Sequence, residues 1–142
     1  MYILDTNVVS ELRKAKDGRA DPNVTAWAAS VSPAETFLSV VTILEIEQGI
    51  LQVARRDKAQ GTLLRAWFED RVLPPFAERI LPIDTAIARR CAGLHVPDLH
   101  GERDALIAAT GLVHGMTIVT RNVKDFAGTR VAVLNPWQNT SG

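Results

Sequence analysis

The sequence predicts an α/β fold, a three-layer α/β/α sandwich around a mostly parallel central sheet. Five short apolar runs have the β-branched composition of strands, and longer stretches with helical spacing of apolar residues separate them. Strands that alternate with helices need crossover connections, which make neighbouring strands parallel. Each run is apolar almost throughout, which is typical of a strand covered on both faces.

The predicted elements follow in chain order. Strands are expected at residues 2–4, 37–41, 80–83, 117–120 and 131–134. Helices are expected at residues 6–14 and 22–31, and a long one is expected from a cap at Thr42 through Ile43, Ile46, Ile50 and Ala54. A fourth helix is expected around residues 63–68 and should end before Pro74 and Pro75. The last two are expected from a cap at Asp84 to residue 92, and at residues 103–113 with Gly115 as the C-terminal cap.

Length and composition indicate one domain, residues 1–138, followed by a short C-terminal tail, residues 139–142. A chain of 142 residues is long enough to bury a core, and its single cysteine excludes an internal disulfide. The 16 basic and 16 acidic residues cancel, so no bulk charge draws the protein onto nucleic acid. No apolar run approaches the ~18–20 residues that cross a bilayer, and the N-terminus lacks a basic signal region, so we expect a cytoplasmic protein.

Acidic residues stand where the predicted strands end. Asp5 directly follows the first strand, Glu45 follows the second, Asp104 opens a helix, and Asn122 and Asp125 follow the fourth. Ligands of open parallel sheets bind at the carboxyl ends of the strands, so these side chains are expected to meet. A cluster of carboxylates repels itself, and a bound cation removes that repulsion.

The expected cation is Mg²⁺, with Mn²⁺ as a substitute, because the donors are all oxygen atoms. The three histidines, His95, His100 and His114, show no ligand spacing and are expected at the surface or in loops. Three acids have a structural alternative: Asp5 also suits the cap of the helix that follows it, Asp104 suits the helix dipole in a first turn, and Asp125 also suits an exposed loop.

Four segments in chain order resemble the motifs of the PIN domain. They are ILDTNVVSEL at residues 3–12, SVVTILEIEQGI at 39–50, RDALIAAT at 103–110 and TRNVKDF at 120–126. The NPW segment at residues 135–137 resembles the FitB-like branch of VapC toxins. The match extends over nearly the whole chain, and four motifs in order are far more specific than one.

The resemblance implies a metal-dependent endoribonuclease, the toxin of a type II toxin–antitoxin pair, held inactive by a VapB-like antitoxin. It implies that Asp5, Glu45 and Asp104 are catalytic acids that bind the metal. Asp125 takes the fourth catalytic position, because the other place where relatives carry an acid is an amide, Asn122, in this chain.

Five further residues are expected to support the metal or bind the substrate: Thr6, Asn7, Thr120, Arg121 and Asn122. The threonine hydroxyls suit hydrogen bonds to the ligand carboxylates or to metal-bound water, and Asn7 suits the orientation of Asp5. Arg121 suits a phosphate contact, because a guanidinium binds phosphate through two donors. Asn122 suits metal binding through water.

Glu47 is the rival of Glu45. The apolar stripe of the predicted helix, at 100° per residue, passes near Glu47 and opposite Glu45. Glu45 is nevertheless preferred, because it is expected in the first turn, facing the strand ends, and because its distance from Gly49 matches the motif.

Two alternatives to a nuclease remain open. One is a phosphatase or phosphoacceptor that uses Asp5 as nucleophile, although the second aspartate of one such class is replaced by Asn7. The other is a catalytically silent binding or regulatory module with the PIN fold. A homodimer is also expected, through apolar groups of the early helices, with core packing as the alternative for those groups: Trp27, Val31, Leu64, Trp67 and Phe68.

Overall fold

A computed structural model describes residues 1–138 and confirms the α/β/α sandwich. The predicted tail, residues 139–142, lies outside the described residues. The sheet has five parallel strands in the order β3-β2-β1-β4-β5. The strands are β1 (Tyr2–Leu4), β2 (Thr36–Ser39), β3 (Ile80–Leu81), β4 (Thr117–Val119) and β5 (Val133–Leu134).

Seven α-helices connect the strands within the described residues. They are α1 (Thr6–Arg13), α2 (Pro22–Ser30), α3 (Val40–Arg56), α4 (Lys58–Trp67), α5 (Leu73–Phe76), α6 (Thr85–Leu94) and α7 (Glu102–His114). Among residues 1–138, no helix combines the length and the apolar character needed to cross a membrane. The predicted cap of α6 is confirmed, because Asp84 accepts the Ile87 N–H at 2.9 Å. Gly115 ends α7 with a φ of 67°, as its position predicted.

Alternate residues of the central strands face opposite helical layers. Ile3 and Ile118 pack in the core cluster that includes α7. Leu4 and Val119 pack in the cluster that includes α1 and α3. This period of two places both faces of β1 and β4 in the core and holds the carboxyl ends of the two strands side by side.

The prediction that Thr42 caps α3 is wrong. Ser39 is the cap, and its hydroxyl accepts the Val41 N–H at 3.0 Å. The helix therefore begins before the predicted cap, and β2 ends before the predicted residue 41. Thr42 lies inside the helix, fully buried, and its hydroxyl has no hydrogen-bond partner in the described part of the chain.

The prediction that a helix ends before Pro74 and Pro75 is also wrong. α4 continues into a π-helical turn, Phe68–Val72, and then into α5, which contains both prolines. Proline is tolerated in the first turn of a helix, because its missing N–H has no partner within the helix there. α5 begins at Leu73, so both prolines lie in its first turn.

The apolar groups expected at a dimer surface belong mainly to the core. Phe68 is only 1% exposed, and Trp27, Leu64 and Trp67 are partly buried against the same cluster. The core-packing alternative is therefore correct for Phe68 and partly correct for Trp27, Leu64 and Trp67. Large exposed apolar side chains lie instead along α3 and at the middle of α4, at Val40, Leu44, Leu51 and Leu63. The homodimer stays a prediction.

Candidate active site

Asp5 lies at the carboxyl end of β1 and is almost fully buried, 7% exposed. Its Oδ1 atom accepts the Thr6 N–H at 2.9 Å, so it also caps α1, as one reading of the sequence predicted. Its Oδ2 atom accepts the Thr120 hydroxyl at 2.8 Å and the Asn7 amide at 3.4 Å. Burial raises the pKa of Asp5, the nearby Asp125 charge adds to the rise, and the three hydrogen bonds partly offset it.

Glu45 is directed to the same edge of the sheet. Its Oε1 atom accepts the Thr6 hydroxyl at 2.8 Å. Glu47, the rival, forms a two-pronged ion pair with Arg65 of α4 instead, and its pKa is lowered by those hydrogen bonds. The prediction that Glu45 lies in the first turn of its helix is wrong. α3 begins at Val40, so Glu45 lies in its second turn.

Asp104 lies in the first turn of α7, which Gly101 caps. Its pKa is raised from 3.8 to about 6, first by burial and then by the charges of Asp125, Asp5 and Glu45. The charges of carboxylates from three other parts of the chain therefore act on Asp104. A carboxylate so placed holds its proton more tightly than one in water unless a cation balances the charge.

Asp125 and Asn122 lie on the loop after β4. Asp125 is exposed, in a 3-10 turn over Val123–Phe126, yet its charge acts on both Asp5 and Asp104. The Asn122 side chain is exposed, and its backbone N–H donates to the Thr120 hydroxyl at 3.1 Å. Asp125 is therefore an exposed loop acid, as one alternative predicted, and its role in the site stays a prediction.

Asn7 joins the first and fourth motifs. Its amide nitrogen donates to the Thr120 hydroxyl at 3.2 Å as well as to Asp5. Its amide oxygen accepts the Arg121 N–H at 3.1 Å. Among the described residues, the Arg121 guanidinium makes no hydrogen bond to Asp5. It lies over the Trp137 ring, 5.2 Å from the ring centre.

Arg103 is a cation at the site that sequence reasoning missed. Its guanidinium lies 3.8 Å from Glu45 Oε2 and donates to Gln48 Oε1 at 2.8 Å. It thereby links α7 to α3 and partly balances the charge of Glu45. Its place beside Asp104 in the RDALIAAT segment was the available signal, but which neighbour it reaches depends on how the two helices cross.

His95 lies in the turn after α6, as expected of a loop residue, but it stands beside two other ligand-type side chains, Cys91 and Glu102. The His95 side chain is 15% exposed at the end of α6, and its Nε2 atom lies 3.8 Å from Cys91 Sγ and 3.7 Å from Glu102 Oε2. These three ligand-type atoms all lie within 4.8 Å of one another. However, Nδ1 accepts the His100 N–H at 3.1 Å, so the neutral ring carries its proton on Nε2, the atom that a metal would need free.

The comparisons with known proteins agree with this fold. The family model described as PIN domain matches residues 2–131. VapC ribonuclease Y4jK of Sinorhizobium fredii is 34% identical over 97% of this chain and 99% of its own length. Toxin FitB of Neisseria gonorrhoeae is 36% identical over 98% of this chain and 100% of its own length. A chain in the crystal structure of FitAcB from Neisseria gonorrhoeae superposes with a TM-score of 0.85 and 32% identity, over 98% of this chain and 100% of that one.

The fold and the site define a parallel α/β protein with a carboxylate cluster at the carboxyl edge of its sheet. The order of its motifs, the family match and the full-length relatives then give the family. The chain belongs to the PIN domain family.

Proposed function

We propose that this chain is the ribonuclease toxin of a VapBC-like toxin–antitoxin pair, and that it hydrolyses RNA phosphodiester bonds with a divalent cation. The observation that carries the proposal is the placement of the acids at one edge of the sheet: Thr6 donates to both Asp5 and Glu45, and Arg103, next to Asp104, lies 3.8 Å from Glu45. The ribonuclease and toxin names of the two full-length relatives support RNA as substrate and toxicity as outcome.

The donor set fits Mg²⁺ or Mn²⁺. Asp5, Glu45 and Asp104 offer carboxylate oxygens only, the ligands that these hard cations prefer. Burial, and then the charges of Asp125, Asp5 and Glu45, raise the pKa of Asp104, and a bound cation would offset that cost of the charged form. When bound, the cation supplies water activation and stabilisation of negative charge on the phosphate.

The residues around the acids fix how the carboxylates are presented. The Thr6 hydroxyl donates to Glu45, and the Thr120 hydroxyl donates to Asp5. Asn7 adds a third donor to Asp5 and ties it to the loop after β4. The donors to Asp5 favour its charged form, which is the form that binds a cation, and partly offset the rise in its pKa caused by burial.

The expected partner is a VapB-like antitoxin. A cell that makes a toxic ribonuclease needs an inhibitor, and two surfaces of this chain suit one. The carboxylate cluster suits an arginine, which binds two carboxylate oxygens at once. A cavity of about 330 Å³ between α1 and the π-helical turn is apolar at Leu12 and Val72 and carries Arg13, Lys16 and Arg71. An apolar segment with acidic residues is the complementary partner for that cavity.

The test is cleavage of total RNA by the purified protein with Mn²⁺ and with EDTA. We expect cleavage that requires the metal and that is lost in the Asp5→Asn and Asp104→Asn double variant, while the fold, measured by circular dichroism, is retained. Calorimetric titration with Mn²⁺ separates the nuclease from a catalytically silent module. Unchanged Mn²⁺ affinity in the double variant contradicts the proposed metal site.

A further inference from the structure

A second cavity opens beside Asp125 that none of the roles above explains. Its volume is about 450 Å³. The residues that bear on its chemistry are two cations, one acid and three amides: Arg121, Lys124, Asp125, Asn122, Asn135 and Gln138. The cavity thus joins the loop after β4 to the turn after β5. Asp125 is common to this cavity and to the carboxylate cluster.

Arg121 lines this cavity, and Trp137 lies beside Arg121 but outside the lining. The Arg121 guanidinium stacks over the Trp137 ring at 5.2 Å, an arrangement that holds a long cationic side chain in one orientation. The backbone of Trp137 is itself fixed, because its backbone N–H donates to Asn135 Oδ1 at 3.0 Å and its carbonyl accepts the Asn23 side-chain amide at 2.8 Å. The NPW segment, so far only a mark of resemblance, therefore has a structural role. Nucleic acid bases stack on guanidinium planes held in this way.

The cavity is held at a fixed position relative to Asp5. Arg121 donates its backbone N–H to Asn7, and Asn122 donates its backbone N–H to Thr120. Asn7 and Thr120 both donate to Asp5. A group bound in the cavity therefore has a defined distance from the acid cluster, as a nucleotide adjoining the cleaved bond must have.

The chemistry of the cavity matches a nucleotide. The lining carries two cations, Arg121 and Lys124, and either side chain can donate to a phosphate oxygen. Each of the three amides offers both a donor and an acceptor, the combination that reads the hydrogen-bonding edge of a base. We propose that this cavity binds the nucleotide of single-stranded RNA that flanks the cleaved phosphodiester and selects its base. The position next to the cleaved bond rests on the proposed ribonuclease function, whereas binding of the nucleotide does not.

The binding test uses the full chain without metal, so that no RNA is cut. The probes are four RNA tetranucleotides, each of one base, and the readout is the indole ¹⁵N–¹H signals of the three tryptophans. We expect the Trp137 signal to shift, because the Arg121 guanidinium of the cavity lies over its ring, while those of Trp27 and Trp67, which have no contact with this cavity, stay in place. One base is expected to bind about tenfold more tightly than the weakest. If no probe moves the Trp137 signal, or if all four bind alike, the proposal is overturned.

The selectivity test compares variants of the amides. Asn135→Asp keeps the oxygen that accepts the Trp137 backbone N–H and removes the amide donor. Asn122→Ala removes an exposed side chain that lines the cavity. Gln52→Ala, an exposed amide on α3, is the matched control. Cleaved ends are mapped on a random-sequence RNA with Mn²⁺.

We expect the base preference beside the cut to fall about tenfold in the two pocket variants and to persist in the control. Preference that persists in all three variants overturns base selection by this cavity. A chain that binds RNA selectively yet cuts nothing supports the cavity and contradicts the proposed nuclease, so the two failures are distinguishable.

Discussion

Asp104→Asn is expected to make the metal-free protein more stable at neutral pH. The pKa of Asp104 is raised from 3.8 to about 6 in the folded protein, so the folded state holds this proton more tightly than the unfolded chain does. The stability that the neutral form provides is present below pH ~4 and is lost as the pH rises through about 6. Asparagine never acquires the charge, and so it does not undergo that loss.

The size of the effect follows from the same pKa. Each pKa unit corresponds to about 1.36 kcal/mol, so the rise sets an upper limit of about 3 kcal/mol. Asp104 is only half-buried, and solvent screening reduces this to about 1 kcal/mol. For a domain of this length, that difference raises Tm by about 3 °C.

The assay is thermal unfolding in EDTA at pH 7 and at pH 3.5, followed by unfolding with Mn²⁺ at pH 7. Asp70→Asn is the control, because Asp70 is exposed and has no recorded contact with the carboxylate cluster. Asp104→Asn should exceed the wild type in Tm at pH 7, match it at pH 3.5, and gain less from Mn²⁺, since a ligand stabilises only the state that binds it. A wild type as stable as the variant at pH 7, or an advantage of the variant that persists at pH 3.5, would refute the reasoning.

Three other changes test separate parts of the site and core. Glu45→Gln should abolish RNA cleavage while Glu47→Gln leaves it within about threefold, because only Glu45 meets the acid cluster; equal losses in a cleavage assay contradict this assignment. Gly101→Ala should weaken Mn²⁺ binding in calorimetry, because the new methyl group would lie 3.3 Å from Asp104 Oδ2 and displace that carboxylate; unchanged affinity counts against it. Thr42→Val should raise the free energy of unfolding by about 1 kcal/mol in urea titration, because it removes a buried hydroxyl without a partner, and a loss of stability would show that the hydroxyl is satisfied.

The parts of the fold that sequence predicts are those fixed by local pattern. Asp5 directly follows a three-residue apolar strand, so its position at the carboxyl edge follows from the strand itself. The helix that carries Asp104 has strong periodicity and a glycine cap, and its predicted bounds differ by one residue at each end. Asp84 as cap of α6 is equally local.

The errors arise where tertiary packing decides between two acceptable local solutions. Ser39 and Thr42 are both good caps, and the sequence does not reveal that the core requires Thr42 inside the helix. Pro74 predicts a helix end, but a π-helical turn lets the chain begin a new helix just before it. Arg103 reaches Glu45 across two helices, a contact that depends on their crossing and leaves no periodic signal.

The acid cluster unites residues from the two extremes of the described chain. Asp5 directly follows the central strand β1, and Thr120, which donates a hydrogen bond to it, is 115 residues further along the chain. Asp125, whose charge acts on Asp5 and Asp104, is made later still. A nascent chain on the ribosome therefore has β1 early but cannot assemble the cluster until the segment through Asp125 has emerged. The site is therefore complete only when nearly all of the chain has been made.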